Sequence, residues 1–134
     1  PQDRSSAASD VYKRQEPETC VGFWIALEDA TVENGCMWAA AGGHSSSLRH
    51  RFRKNGEEME MITLDESPMP MCDTPLPAPS GTLVILHGRL PHYSAPNRSS
   101  DSRYAYAMHL IDETADYFSD NWLQRPKTFE TKQL

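Results

Sequence analysis

The sequence lacks most of the features that usually announce a function. It has no basic surplus: 13 Lys and Arg face 19 Asp and Glu, for a formal charge of −6 at pH 7. That argues against a nucleic-acid binder, which needs cations to neutralise phosphates. No apolar run approaches the ~18 residues of a membrane span, and no basic n-region followed by an apolar stretch opens the chain, so the expectation is a soluble, cytoplasmic protein. Cysteine is scarce: Cys20, Cys36 and Cys72 are odd in number and widely spaced. This excludes a zinc knuckle or a thioredoxin-type pair and leaves no disulfide framework. Apolar residues are also few, at 38%, with a mean hydropathy of −0.64. What the chain has instead is proline, 10 residues in 134. One domain fits in this length, with long loops or with part of the chain outside the folded unit.

Residues 1–15 are small and polar and read as a disordered or foreign leader. Order is expected from residue 16 to about 125, with a polar tail over 126–134. Residues 21–27, VGFWIAL, form an apolar, β-branched and aromatic run of strand length. A polar stretch follows and ends in Asn34-Gly35, a strong turn pair, before a second short apolar run over 36–41. Residues 45–80 show no sustained period. They hold a basic patch (Arg49, His50, Arg51, Arg53, Lys54), an acidic one (Glu57, Glu58, Glu60), a single candidate strand at 59–64 and a tract rich in Pro and Met. Order restarts with a strand at 83–86, and residues 103–110 alternate, with Arg103, Ala105, Ala107 and His109 on one face. Short strands, turn signals and no helical period predict an all-β sandwich or barrel.

His92, Ser94 and Arg103 are the residues most suggestive of chemistry. Arg103 opens a strand whose neighbours on its own face are alanines, and a charge there is costly unless an anion meets it. A dicarboxylate matches its planar fork, and a His beside such a site is a candidate metal ligand. The same spacing also fits a capped turn in which Arg103 pairs with Asp101 or Glu113. His87 reads as a turn or core residue, His109 as core and His50 as solvated. The basic patch reads as a solvated face or a contact for an acidic substrate. Met59, Met61, Met69 and Met71 read as loose loop packing or the wall of an apolar pocket.

The string Gly81-Thr-Leu-Val-Ile-Leu-His-Gly88, then His92-x-Ser94-x-x-Asn97-x-Ser99 and Arg103-x-Ala105, resembles the C-terminal half of the phytanoyl-CoA dioxygenase family. Upstream, Trp24-Ile-Ala-Leu-Glu-Asp-Ala-Thr-Val-Glu-Asn-Gly-Cys-Met-Trp38 resembles a second signature of that family. The family continues with Pro-Gly-Ser-His, where this chain has Ala41-Gly42-Gly43-His44. The resemblance implies a double-stranded β-helix, or jelly roll, incomplete because the N-terminal part of the domain is missing. It implies Fe(II) and 2-oxoglutarate as cofactors, with His92 as a metal ligand. Ser94 and Arg103 would hold the far carboxylate of 2-oxoglutarate, and Trp24 would wall its pocket. The implied reaction couples 2-oxoglutarate decarboxylation to C–H hydroxylation of a small molecule, an acyl-CoA or another lipid-like substrate, in a monomer. The family's other two iron ligands form a His-x-Asp pair ahead of Trp24. No His precedes His44 here, so the chain alone is expected to be inactive. The rival expectation is a non-catalytic jelly-roll binding module.

Overall fold

A computed structural model describes residues 15–124. It contains ten strands: β1 Gln15–Glu16, β2 Val21–Ala26, β3 Met37–Ala39, β4 His50–Asn55, β5 Glu58–Thr63, β6 Thr74–Leu76, β7 Leu83–His87, β8 His92–Ser94, β9 Ala105–Leu110 and β10 Asp116–Tyr117. A 3-10 turn at Gly43–Ser45 is the one named helical element among the described residues. Two antiparallel three-stranded sheets, ordered β7-β2-β9 and β6-β3-β8, form the body. β4 and β5 make a separate hairpin, and β1 pairs with β10. The expected all-β class is observed. The sheets do not close into a barrel.

The apolar runs become strands because alternation gives each an inward row. In the first sheet Trp24 lies opposite Val84 and Ala107, Gly22 opposite Leu86 and His109, and Ala26 opposite Ala105. That row faces the second sheet. Ala26, Ala30, Cys36 and Ala78 form the buried centre, with Trp24, Trp38 and Val84 packed against it. Small residues dominate, so the sheets approach closely around a few large aromatic side chains. The opposite row is also apolar: Leu83, Ile85 and Tyr106 are 46%, 60% and 56% exposed.

Four expectations need correction. Gln15, assigned to the leader, is in β1 and is almost wholly buried, bonded to Thr19. Residues 1–14 and the tail from 125 lie outside the described residues. The stretch 45–80 contains a full hairpin as well as β6. Its β4 strand, HRFRKN, offers little apolar signal because its charges are met across the ladder and by the C-terminal segment. β9 begins at Ala105 rather than Arg103, since the backbone just before it is held by Glu28 instead of a neighbouring strand. His109 is exposed rather than buried in the core.

Candidate active site

β8 is placed by a tight corner. The Ala40 amide donates to the Pro91 carbonyl at 3.0 Å. A Cβ on Gly43 would stand 2.9 Å from both Ala40 Cβ and Pro91 Cδ. Gly43 occupies the place of Ser in the family's Pro-Gly-Ser-His pattern, and here the missing side chain lets the corner seat Pro91 directly. His92 follows, half-buried, with Nδ1 2.7 Å from the Leu90 carbonyl. A carbonyl only accepts, so Nδ1 carries the hydrogen, which leaves Nε2 as the ring nitrogen available for ligation. Ligating histidines are commonly oriented by this kind of bond.

His92 lines an open cavity of about 210 Å³ between the two sheets, together with Gly22, Trp24, Met37, Leu86 and His109. Ser94 lies two residues further along β8, on the same face as His92, and opposite Met37. Arg103 is half-buried, with its guanidinium carbon 5.9 Å from the centre of the Trp24 ring. Trp24 thus joins the two expected site residues: it walls the cavity that holds His92 and carries Arg103. Arg103 is not among the cavity-lining residues. Neither Asp101 nor Glu113 pairs with it, and no ion pair of Arg103 occurs among the described residues. Its charge also reaches Cys36, where it partly offsets the burial that raises the thiol.

The turn before β3 and the connection after β8 lock together beside this site. Gly35 adopts φ +90°, and a Cβ there would stand 2.4 Å from the Ala95 carbonyl oxygen. Only glycine satisfies both the left-handed backbone and the close approach. Asn34 is buried; its Oδ1 accepts from the Thr31 amide at 2.7 Å and its Nδ2 donates to the Asp29 carbonyl at 2.8 Å. The Arg98 amide donates to the Glu33 carbonyl at 3.0 Å.

Of the remaining candidates, His87 also lines the cavity, and the others are placed elsewhere or are already engaged. His87 accepts the Arg89 amide at 3.1 Å in the turn after β7, and its ring meets that of His44 at 5.1 Å. Arg49 is buried and donates to the carbonyls of Ser47, Ser67 and Pro68. Arg51 pairs with Asp120 and Arg53 with Glu60, so little of the basic patch is available to an acidic substrate. Met59, Met61, Met69 and Met71 are all exposed. Burial pushes the Cys20 thiol up to about 12 and also raises Cys36 and Cys72. None is a ready thiolate nucleophile or ligand.

The donor set fits the two implied groups unequally. Arg103 suits a carboxylate, being charged, stacked and without an acid partner among the described residues. For iron, His92 is a competent ligand, but no group of three or more His, Cys, Asp or Glu that could hold a metal exists among the described residues. The described residues alone do not make an iron site.

The phytanoyl-CoA dioxygenase (PhyH) family model matches residues 2–105, a range that takes in most of the segment set apart above as a leader. The chain belongs to this family, whose members are iron- and 2-oxoglutarate-dependent oxygenases. It is 43% identical over 115 residues to phytanoyl-CoA dioxygenase 1 of Oryza sativa subsp. japonica, covering 82% of this chain and 40% of that protein. Against the mouse (Mus musculus) phytanoyl-CoA dioxygenase domain-containing protein 1, identity is 37%, covering 78% of this chain and 38% of the relative. The chain thus spans about 40% of the length of curated relatives it matches. Among solved structures, the epimerase SnoN in complex with Fe3+, alpha ketoglutarate and nogalamycin RO superposes with a TM-score of 0.65 at 22% identity, covering 98% of this chain and 53% of that one. EvdO2 from Micromonospora carbonacea var. aurantiaca, complexed with 2-oxoglutarate, gives 0.58 at 23%, covering 87% and 46%. At these identities the likeness establishes the jelly-roll fold.

Proposed function

We propose that these residues form part of an oxygenase domain that binds 2-oxoglutarate and iron(II) and hydroxylates a small lipid-like molecule, with an acyl-CoA thioester the leading class, in the cytoplasm and as a monomer. The observation that carries the proposal is the trio of His92, Trp24 and Arg103: a ligand-ready imidazole and a guanidinium with no ion pair among the described residues, joined by one indole. When bound, iron(II) and 2-oxoglutarate together supply oxidative decarboxylation coupled to C–H hydroxylation. This chain's residues hold and orient. Arg103 takes the distal carboxylate through its planar fork, with Ser94 as a hydroxyl partner. Trp24 walls the keto acid and excludes water, and His92 offers Nε2 to the metal. A complete facial triad needs two more ligands. The chain holds no His-x-Asp, so the 134 residues alone neither bind iron tightly nor form succinate.

A second reading, a non-catalytic jelly-roll module, is favoured by the lack, among the described residues, of a group of three or more His, Cys, Asp or Glu that could hold a metal. Succinate formation by the full-length gene product separates the two. The oxygenase reading predicts 2-oxoglutarate turnover that His92→Ala abolishes. Arg103→Ala should raise the KM for 2-oxoglutarate by about a hundredfold, the loss expected for two charged hydrogen bonds. An unchanged KM in Arg103→Ala would refute the anchor, and succinate formed by the 134-residue chain alone would refute the one-ligand account.

A further inference from the structure

The two residues flanking Arg103 are both bonded to one carboxylate, that of Glu28, which makes no ion pair with Arg103 itself. Glu28 follows β2 directly, at the point where the chain leaves the first sheet. Its carboxylate reaches across to the residues on either side of Arg103: Oε1 accepts from the Ser102 hydroxyl at 2.9 Å and Oε2 accepts from the Tyr104 amide at 2.8 Å. The carbonyl of Tyr104 is fixed as well. The Tyr104 carbonyl accepts from the amides of Leu27 at 3.0 Å and Glu28 at 3.3 Å. Asn34, itself buried, reaches the Ser102 carbonyl at 3.5 Å. Both neighbours of Arg103 are therefore tethered to the 27–34 segment, while the Arg103 head group lies over Trp24.

The chemistry of this arrangement is specific. A glutamate so near an arginine in space would ordinarily be expected to pair with it. Here both carboxylate oxygens are engaged by an amide and a hydroxyl, and Glu28 makes no ion pair with Arg103. The acid thus supplies two charge-assisted bonds to the flanking residues and leaves the guanidinium open to an external carboxylate. It also explains why β9 starts late: residues 102–104 bond to Glu28 and to the end of β2 instead of extending the ladder.

We infer that Glu28 is the positioning residue for Arg103. It sets the guanidinium over Trp24 before ligand arrives and so governs affinity for the distal carboxylate of 2-oxoglutarate. This rests on the oxygenase reading for the identity of the ligand but not for the positioning itself. An anchor arranged in advance loses less freedom on binding than one that must be ordered by the ligand.

The test uses the chain with Glu28→Ala, Glu28→Gln and, as a neighbouring control, Asp29→Ala. The Asp29 carboxylate accepts from the Ser80 amide at 2.7 Å, away from Arg103. Two measurements are made: the proton shifts of the Arg103 δ-methylene, displaced by the Trp24 ring current, and the 2-oxoglutarate dissociation constant by calorimetry. Glu28→Ala should return the Arg103 shifts toward unstacked values and weaken 2-oxoglutarate binding about tenfold. Glu28→Gln keeps one acceptor oxygen and should restore part of both, which also covers the case in which the alanine variant folds poorly. Asp29→Ala should change neither. Wild-type Arg103 shifts and affinity in a folded Glu28→Ala would overturn the inference. If Arg103→Ala leaves 2-oxoglutarate binding unaltered, the fault lies with the ligand assignment, and the ring-current shifts still decide the positioning.

Discussion

Two charged segments of this molecule use carboxylates in opposite ways. In the β4–β5 hairpin, acids close onto guanidinium groups: Glu60 onto Arg53 and, from the C-terminal segment, Asp120 onto Arg51. The hydrogen bond from Arg53, then that from Asn55, holds the Glu60 carboxyl below its ordinary range. Beside β9 the acid closes onto a hydroxyl and a backbone amide instead, and Arg103 has no ion pair among the described residues. An arginine's availability is thus set less by how many acids are near it than by where those acids spend their lone pairs. Positive charge is denser along the hairpin, but Arg51 and Arg53 are closed off by ion pairs, whereas Arg103 has none among the described residues.

The sharpest test of the contrast is steric. Both segments turn on a glycine with positive φ, Gly35 at +90° and Gly56 at +64°. A Cβ on Gly35 meets the Ala95 carbonyl, whereas one on Gly56 meets nothing within 4 Å. Gly35→Ala should therefore cost about 3 kcal/mol or more, combining backbone strain with a clash against main chain. Gly56→Ala should cost about 1 kcal/mol, from φ alone. Denaturant unfolding of both variants checks this, and equal losses would mean that the two segments are not braced differently.

Next come the hairpin arginines. Arg51 is mostly covered, lies over the Phe118 ring at 5.4 Å and pairs with Asp120. Arg51→Ala should destabilise by about 1–2 kcal/mol through lost packing and a stranded acid. Arg53 is more exposed, and Arg53→Ala should cost about 0.5 kcal/mol. Neither should change 2-oxoglutarate affinity measured by calorimetry. A tenfold loss in either variant would place a ligand contact on the hairpin and break the comparison.

Much of the site was legible in the sequence because its signals are local. The apolar runs of 21–27 and 83–86 and the alternation of 103–110 gave the first sheet, and Asn34-Gly35 gave the turn. The string from His92 to Arg103 gave the candidate ligand and anchor. The hairpin was half-missed although Asn55-Gly56 marks it. Gly56 opens the two-residue turn, where a type II′ hairpin places glycine, but β4 carries one aromatic among charges that are satisfied only across the ladder. β8 escaped notice because three residues behind a proline show no period. Glu28 could not have been found from spacing at all. Its partners, Ser102 and Tyr104, lie 74 and 76 residues away, and nothing local distinguishes it from the acid next to it.

The smallest expected effect is acid-dependent. Asp65 accepts from the Ser47 hydroxyl and, at 2.8 Å, from the Ser67 amide. These bonds, the Ser47 bond foremost, lower its carboxyl from 3.8 to about 2. A carboxyl depressed in the folded state contributes stability above its unfolded value, and that contribution is lost as pH falls through the folded one. Asp65→Asn should therefore flatten the loss of hairpin stability between about pH 4 and pH 2, with little change at neutral pH. Amide exchange of β4 and β5 across that range measures it, and an unchanged slope in the variant would assign the acid sensitivity elsewhere.

The most direct test of the central claim follows the arginine side chains themselves. In a 2-oxoglutarate titration of the isotope-labelled chain, the Nε–Hε resonances of Arg51, Arg53 and Arg103 report where a dicarboxylate lands. The account predicts that Arg103 shifts and saturates with the calorimetric dissociation constant while Arg51 and Arg53 stay fixed. Movement of Arg51 or Arg53 with Arg103 unchanged would contradict it.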